Sequence, residues 1–320
     1  MNISGHNGSG FPRSPFEPPK ENIPFSGICT FAGYPVWDGR EKVDAVFVGI
    51  PWDEGTTYRP GTRFGPRAIR EASMFYSYEG EEGRFFDADR RKWILKGKKV
   101  ADAGDVTMEP LCRERNHDKI TANIRAVLDA CAVPAVAGGD HSITYPVLRA
   151  FEGRNIHYVH LDTHADCDRV SYSKHTHGSP VLMIMENKLV DSVTFLGIRG
   201  LTNSGEDISW IQQKGAKILT ARELRGWLKD PDESFFEPGE YYISLDIDFF
   251  DPSAAPGTGT PEPGGLFFEH FSDVLQLIAR RGNIVGFDVV EVSPYLDGPG
   301  AITSHLAARC IIELLSAALE

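Results

Sequence analysis

The chain has 320 residues, 41% of them hydrophobic, and a formal net charge of −12. That is material for a sizeable α/β core, with an acidic balance that argues against non-specific nucleic-acid binding, which needs a basic surface. The five cysteines, at 29, 112, 131, 167 and 310, are odd in number and contain no Cys-x-x-Cys, so they read as reduced thiols of a cytoplasmic protein. No uninterrupted apolar run of about 18 residues occurs, and the N-terminus lacks the basic and apolar regions of a signal peptide, so neither a membrane span nor a leader is expected.

Residues 1–25 are rich in Gly, Ser, Pro and Asn and predict an N-terminal arm. No second break in composition follows, so 26–320 reads as one domain. Asp44–Pro51 predicts the first strand, and Pro66–Ser73, after a Gly-Pro start signal, the first helix. Lys99–Asp105 reads as a strand and Lys119–Cys131 as a helix, with apolar residues three to four apart. Ala132–Ala137, Ile156–Leu161, Ser192–Ile198, Ala216–Leu219 and Tyr241–Ile247 read as strands. Phe268–Ile278 then reads as a helix, Ile284–Val290 as an eighth strand and Ala301–Leu319 as a closing helix. Most of these strands are short apolar runs without clean alternation, as strands buried on both faces are. Strand–helix alternation predicts a parallel sheet covered on both sides, an α/β fold.

Three strand ends carry chemistry. Gly138-Gly-Asp-His-Ser142 follows one, His160-Leu-Asp-Thr-His-Ala-Asp-Cys-Asp168 closes another, and Ser244-Leu-Asp-Ile-Asp-Phe-Phe-Asp251 closes a third. Asp162, His164 and Asp166 alternate carboxylate, imidazole, carboxylate, which can converge on a cation if the chain turns there. In an extended strand Asp246 and Asp248 share one face, and burying both without a cation is costly. Cys167 sits among hard oxygen donors and reads as a bystander, His157 and His160 as core or supporting histidines, and Asp140 and Asp251 as supporting or turn residues.

Together with Tyr58-Arg-Pro-Gly-Thr-Arg-Phe-Gly-Pro-Arg67 and Ala255-Pro-Gly-Thr-Gly-Thr-Pro-Glu-Pro-Gly-Gly265, these segments resemble the ureohydrolase (arginase and agmatinase) family, the agmatinase branch more than arginase, over about residues 25–318. The resemblance implies a three-layer α/β/α fold around an eight-stranded parallel sheet. It implies two divalent ions, one held by His141, Asp162, Asp166 and Asp246 and the other by Asp162, His164, Asp246 and Asp248. Four aspartates balance two such ions, and an oxygen-rich set without thiolate suits manganese, with nickel and cobalt also possible. A hydroxide shared by two ions is a nucleophile at neutral pH. By the same resemblance Glu291 holds the substrate guanidinium, His177 (rather than its neighbour His175) relays protons, and Thr260 orients the substrate nitrogens.

The reaction implied is hydrolysis of a guanidino compound to urea and an amine. Asp168 stands where arginase has an asparagine that helps bind the substrate carboxylate, so a carboxylate there favours an ammonium at the distal end, and hence agmatine; the alternative orientations are away from the pocket or paired with Arg169. The Arg169–His175 loop matches no single substrate. Guanidine, a guanidino acid and a substituted biguanide compete as substrates. A formiminoglutamate-type hydrolase should show cationic groups in the pocket. A one-metal deacetylase should lack Asp248, and a non-catalytic relative should have lost ligands. The resemblance also implies a homo-trimer or homo-hexamer; the acidic charge and the lack of a long apolar run predict no nucleic-acid or membrane partner.

Overall fold

The computed structural model describes residues 24–77, 85–169 and 173–320. Nearly all of the expected arm and the centre of the 169–175 loop lie outside the described residues. Ten strands occur among them: β1 (Ala45–Gly49), β2 (Phe85–Asp87), β3 (Lys92–Ile94), β4 (Val100–Asp105), β5 (Val133–Ala137), β6 (Ile156–Leu161), β7 (Ser192–Ile198), β8 (Lys217–Thr220), β9 (Gly239–Asp246) and β10 (Gly282–Val290). Eight form one parallel sheet in the order β4-β1-β5-β10-β9-β6-β7-β8, and these are the eight strands expected from the sequence. β2 and β3 pair separately as an antiparallel hairpin that the sequence reading did not anticipate.

Both faces of the sheet are buried. Along β1, Ala45 and Phe47 join one apolar core while Val46 and Val48 join the other; Tyr241 and Tyr242 of β9 divide the same way. Helices α1 (Gly65–Ser73), α6 (Ala221–Trp227), α7 (Phe268–Arg281) and α8 (Ile302–Leu319) cover the first core. The second lies under α2 (Arg113–Asp129), α3 (Thr144–Leu148), α4 (Pro180–Glu186) and α5 (Gly205–Gln213). This is the three-layer α/β/α arrangement.

The departures have local causes. α2 starts at Arg113, ahead of the expected Lys119, because its first turns are polar and show no apolar period in sequence; the apolar stripe begins only at Ile120. In α4, five of seven residues are apolar, so it shows no helical face in sequence. β9 ends at Asp246 instead of running to Ile247, since Ile247–Phe249 forms a 3-10 turn. Asp248 is therefore not on the strand face with Asp246; it is brought alongside by the turn, whose cap is Asp246. α8 is long and apolar enough to cross a membrane, which a search for an uninterrupted apolar run misses. Most of it is buried inside the fold, where Glu313 is held by Arg90 and by Arg309, the latter at 2.6 Å.

Candidate metal centre and substrate cavity

Four neighbouring strands, β5, β10, β9 and β6, end together, and the segments leaving them carry the site. This is the C-terminal crevice where open α/β sheets bind ligands. After β5, a side chain on Gly139 would overlap the carbonyl oxygen of Trp52, which accepts a hydrogen bond from Asp140 N at 2.7 Å. Asp140 then caps the 3-10 turn His141–Ile143 through Ser142 N, and His141 is fully buried. After β6, Asp166 adopts φ 45°, and after β10, Glu291 adopts φ 64°. Left-handed backbone at two non-glycine positions of one cleft is strain of the kind that clusters at functional sites.

His141 Nδ1 lies 3.1 Å from Asp162 Oδ2, 2.9 Å from Asp166 Oδ2 and 3.2 Å from Asp246 Oδ2. The other oxygen of Asp162 lies 3.5 Å from His164 Nδ1, and that nitrogen is 3.2 Å from Asp248 Oδ2. All six side chains expected as ligands are thus contiguous, and Asp162 reaches both histidines. Two groups among the described residues are placed to hold a metal ion: His141, His160, Asp162 and Asp166, and Asp162, His164 and Asp248.

The electrostatics fit cations. Burial, Asp248 and Asp162 push the Asp246 carboxyl well above the usual carboxylate range. Burial and Asp162 push Asp248 up to about 6. Burial opposes the charge on His141, but Asp162, Asp166 and Asp246 outweigh it and hold the imidazole well above its usual range. Protons thus stand in for positive charge. Among the described residues, His141 Nδ1 and Asp162 Oδ2 are also enclosed without a well-formed hydrogen bond. A pair of divalent ions fits this donor set.

His141 is fixed from behind. Its Nε2 lies 2.8 Å from Ser244 Oγ, and Ser244 donates to Asp288 Oδ1 at 2.5 Å. Tyr242 and Thr144 donate to Asp288 Oδ2 at 2.7 and 3.0 Å. The fully buried Asp288 carboxylate claims the serine proton, so the serine oxygen accepts from Nε2–H, and when the ring gives up its second proton it is the Nδ1 lone pair that faces the carboxylates. His160, stacked on His141 at 4.9 Å, approaches Asp162 Oδ2 at 3.2 Å. Its Nε2 also meets the His164 carbonyl at 3.0 Å and its Nδ1 the Tyr158 hydroxyl at 2.9 Å. A carbonyl only accepts, so Nε2 carries a proton and offers no lone pair to a cation.

Above the cluster, Glu291 Oε1 accepts from His141 N at 2.9 Å and from His177 Nδ1 at 3.0 Å. Its Oε2 is buried and has no hydrogen-bond partner among the described residues. His177 resists charging through burial, yet Glu291, Asp140 and Asp166 raise it to about 9. His175 packs its ring against His117 at 5.9 Å and lines a separate depression. Thr260 donates to Asp248 Oδ2 at 3.3 Å. These residues open on a cavity of about 770 Å³, also lined by Thr57, Arg59, Asp168, Asp207 and Glu262. Arg169 turns to Asp207 at 2.7 Å. Arg59, the one Arg or Lys among the described lining residues, donates to the Gly259 and Thr258 carbonyls at 2.8 and 3.1 Å.

Sequence reasoning gave no role to Thr57, Arg59 or Asn203. The first two lie in or beside the Tyr58–Arg67 segment, whose resemblance was the available signal. Asn203 Oδ1 accepts from Ala165 N at 2.9 Å, and its Nδ2 donates to Thr163 O at 3.1 Å, gripping the chain on either side of His164. Thr-Asn-Ser reads as any polar turn and carried no signal.

A model of the arginase family matches residues 43–316. The chain is 36% identical over 302 residues to the proclavaminate amidinohydrolase of Streptomyces clavuligerus, covering 91% of this chain and 93% of that one. The solved structure of the Streptomyces protein superposes with a TM-score of 0.82 at 33% identity, over 93% of this chain and 99% of that one. The mitochondrial agmatinase of Gallus gallus is 36% identical over 303 residues (90% and 85% covered). The guanidinobutyrase of Pseudomonas aeruginosa is 35% identical over 308 residues (91% and 92%).

Proposed function

We propose, from the premise that the chain belongs to the arginase family of hydrolases acting on amidino C–N bonds, that its substrate is agmatine, cleaved to putrescine and urea. The observation that carries the guanidino part of this reading is Glu291: a buried carboxylate with one oxygen pinned and the other without a hydrogen-bond partner among the described residues, beside the His/Asp cluster. A guanidinium is planar, cationic and rich in N–H donors, and a carboxylate is its geometric complement. In this reading His141, Asp162, Asp166 and Asp246 hold one divalent ion and Asp162, His164, Asp246 and Asp248 the second, with manganese favoured by the oxygen-rich set and nickel or cobalt as alternatives. The ions, when bound, supply Lewis-acid activation of water. Glu291 holds the guanidinium carbon in place, and His177 delivers a proton to the departing amine. Thr260 supports Asp248 in this scheme, since its hydroxyl donates to that carboxylate.

The choice of agmatine rests on the outer cavity. Asp168, Asp207 and Glu262 line it, and a distal ammonium is favoured beside such carboxylates. A guanidino acid is the second reading. It is supported by Arg59 at the cavity wall and by relatives named for guanidino acids, such as guanidinobutyrase. Urea release from agmatine, 4-guanidinobutyrate, 3-guanidinopropionate, guanidine and a biguanide separates these readings. Agmatine is expected to have the highest kcat/KM; a guanidino acid in first place transfers the distal contact to Arg59.

A further inference from the structure

Both nitrogens of the buried His177 ring are occupied by protein. Nδ1 faces Glu291 Oε1 at 3.0 Å, and a carboxylate only accepts, so Nδ1 carries a proton. Nε2 lies 3.2 Å from the backbone N–H of Thr57, which only donates, and 2.9 Å from the Thr57 hydroxyl. When Nε2 is an acceptor, both Thr57 groups can donate to it. When Nε2 carries a proton, the backbone N–H opposes it and only the hydroxyl can turn round to accept. Thr57 stands at the exposed wall of the cavity, whereas His177 is 8% exposed.

We propose that Thr57 is the positioning residue of His177: its hydroxyl holds the ring in one orientation and serves as partner to Nε2 in both protonation states. The inference rests on the reading that His177 delivers a proton during turnover. A group that gains and loses a proton each cycle needs a partner that can reverse its hydrogen bond. Among the groups of the described residues that meet this ring, only a hydroxyl does so. Glu291 accepts at the other nitrogen, and the nearby charges are those of Glu291, Asp140 and Asp166, all acceptors. The backbone of the ring is tied separately, since His177 N donates to Gly55 O at 2.9 Å. Loss of the Thr57 hydroxyl therefore leaves the loop in place and changes the ring alone.

The test compares Thr57→Val, which keeps shape and backbone N–H but deletes the hydroxyl, with Thr57→Ser, which keeps it. The substrate is whichever guanidino compound the wild-type protein cleaves best. In Thr57→Val, kcat is expected to fall roughly tenfold, the worth of one hydrogen bond, with KM within about twofold. The alkaline limb of the kcat profile should move to lower pH, because the charged ring has lost the hydroxyl that accepts from Nε2. Thr57→Ser should restore both. Independently of turnover, NMR of the zinc-loaded protein, with His177 assigned through His177→Asn, should show the neutral ring protonated at Nδ1 and its midpoint lowered in the Val variant only. A wild-type kcat and pH profile in Thr57→Val overturns the proposal, as does a Ser variant as impaired as Val. A neutral ring protonated at Nε2 overturns it too. If the wild-type protein cleaves no guanidino compound, the functional reading fails by itself, and the NMR midpoints still decide the role of Thr57.

Discussion

On the agmatine reading, the carboxylate of Asp168 separates two substrate classes. It lines the outer cavity, and Arg169 is engaged with Asp207. On the agmatine reading, Asp168→Asn removes a charge-assisted hydrogen bond, which costs about 1.5–3 kcal/mol, or roughly one to two powers of ten in kcat/KM. Guanidine, which has no distal group, should be nearly unaffected, and 4-guanidinobutyrate should improve. A parallel fall for all three compounds means that Asp168 supports the loop instead. Behind the cluster, Ser244→Ala takes away the partner of His141 Nε2 and frees one Asp288 oxygen. If His141 is a ligand, metal affinity should drop by roughly 10–100-fold, as losses of such supporting contacts do. Competition with a chelator measures it, and an unchanged affinity removes His141 Nδ1 from the ligand set.

At the scale of elements, α2 carries a pH dependence unrelated to the cleft. His117 is buried on its inner face, and burial with the charge of His175 lowers its pKa from 6.5 to about 4. As pH falls below 6.5 the unfolded chain takes up this proton first. The associated stability is therefore complete above about 6.5 and is lost progressively as pH falls towards 4, on the order of 3 kcal/mol in all. His117→Gln should flatten that part of the stability curve in urea titrations between pH 7 and 4.5; a difference from wild type that stays constant with pH contradicts the assignment. The sheet strands were legible because burial on both faces makes them plain apolar runs, as in Val46–Val48 and Tyr241–Ile243. α7 was legible from its apolar stripe and α1 from the Gly-Pro that starts it. α4 was not, being apolar nearly all round, nor was the start of α2 at Arg113, being polar all round. The six cluster residues could be named from their spacing and resemblance, but the turn that aligns Asp248 with Asp246 could not. That turn is set by a side-chain cap, Asp246 Oδ1 accepting from Asp248 N at 2.8 Å, which competes with continuation of the strand. Thr57 was invisible because its partner His177 is 120 residues away.

For the whole molecule, the cluster has the character of a cation site that folding builds at the cost of crowding carboxylates. Metal removal is thus expected to destabilise the protein as well as silence it, and re-addition should raise Tm with metal concentration. We also expect a homo-trimer or homo-hexamer. Several aromatic side chains, including Phe75, Trp93 and Tyr295, are more than half exposed, and light scattering that finds a monomer at micromolar concentration contradicts the assembly. The most direct test of the central claim is a titration of manganese into the metal-free chain, following urea release from agmatine and bound metal together. Activity is predicted to be absent without metal and to reach its plateau at two ions per chain. A plateau at one ion, urea release from the metal-free chain, or no urea from agmatine at any loading would contradict it.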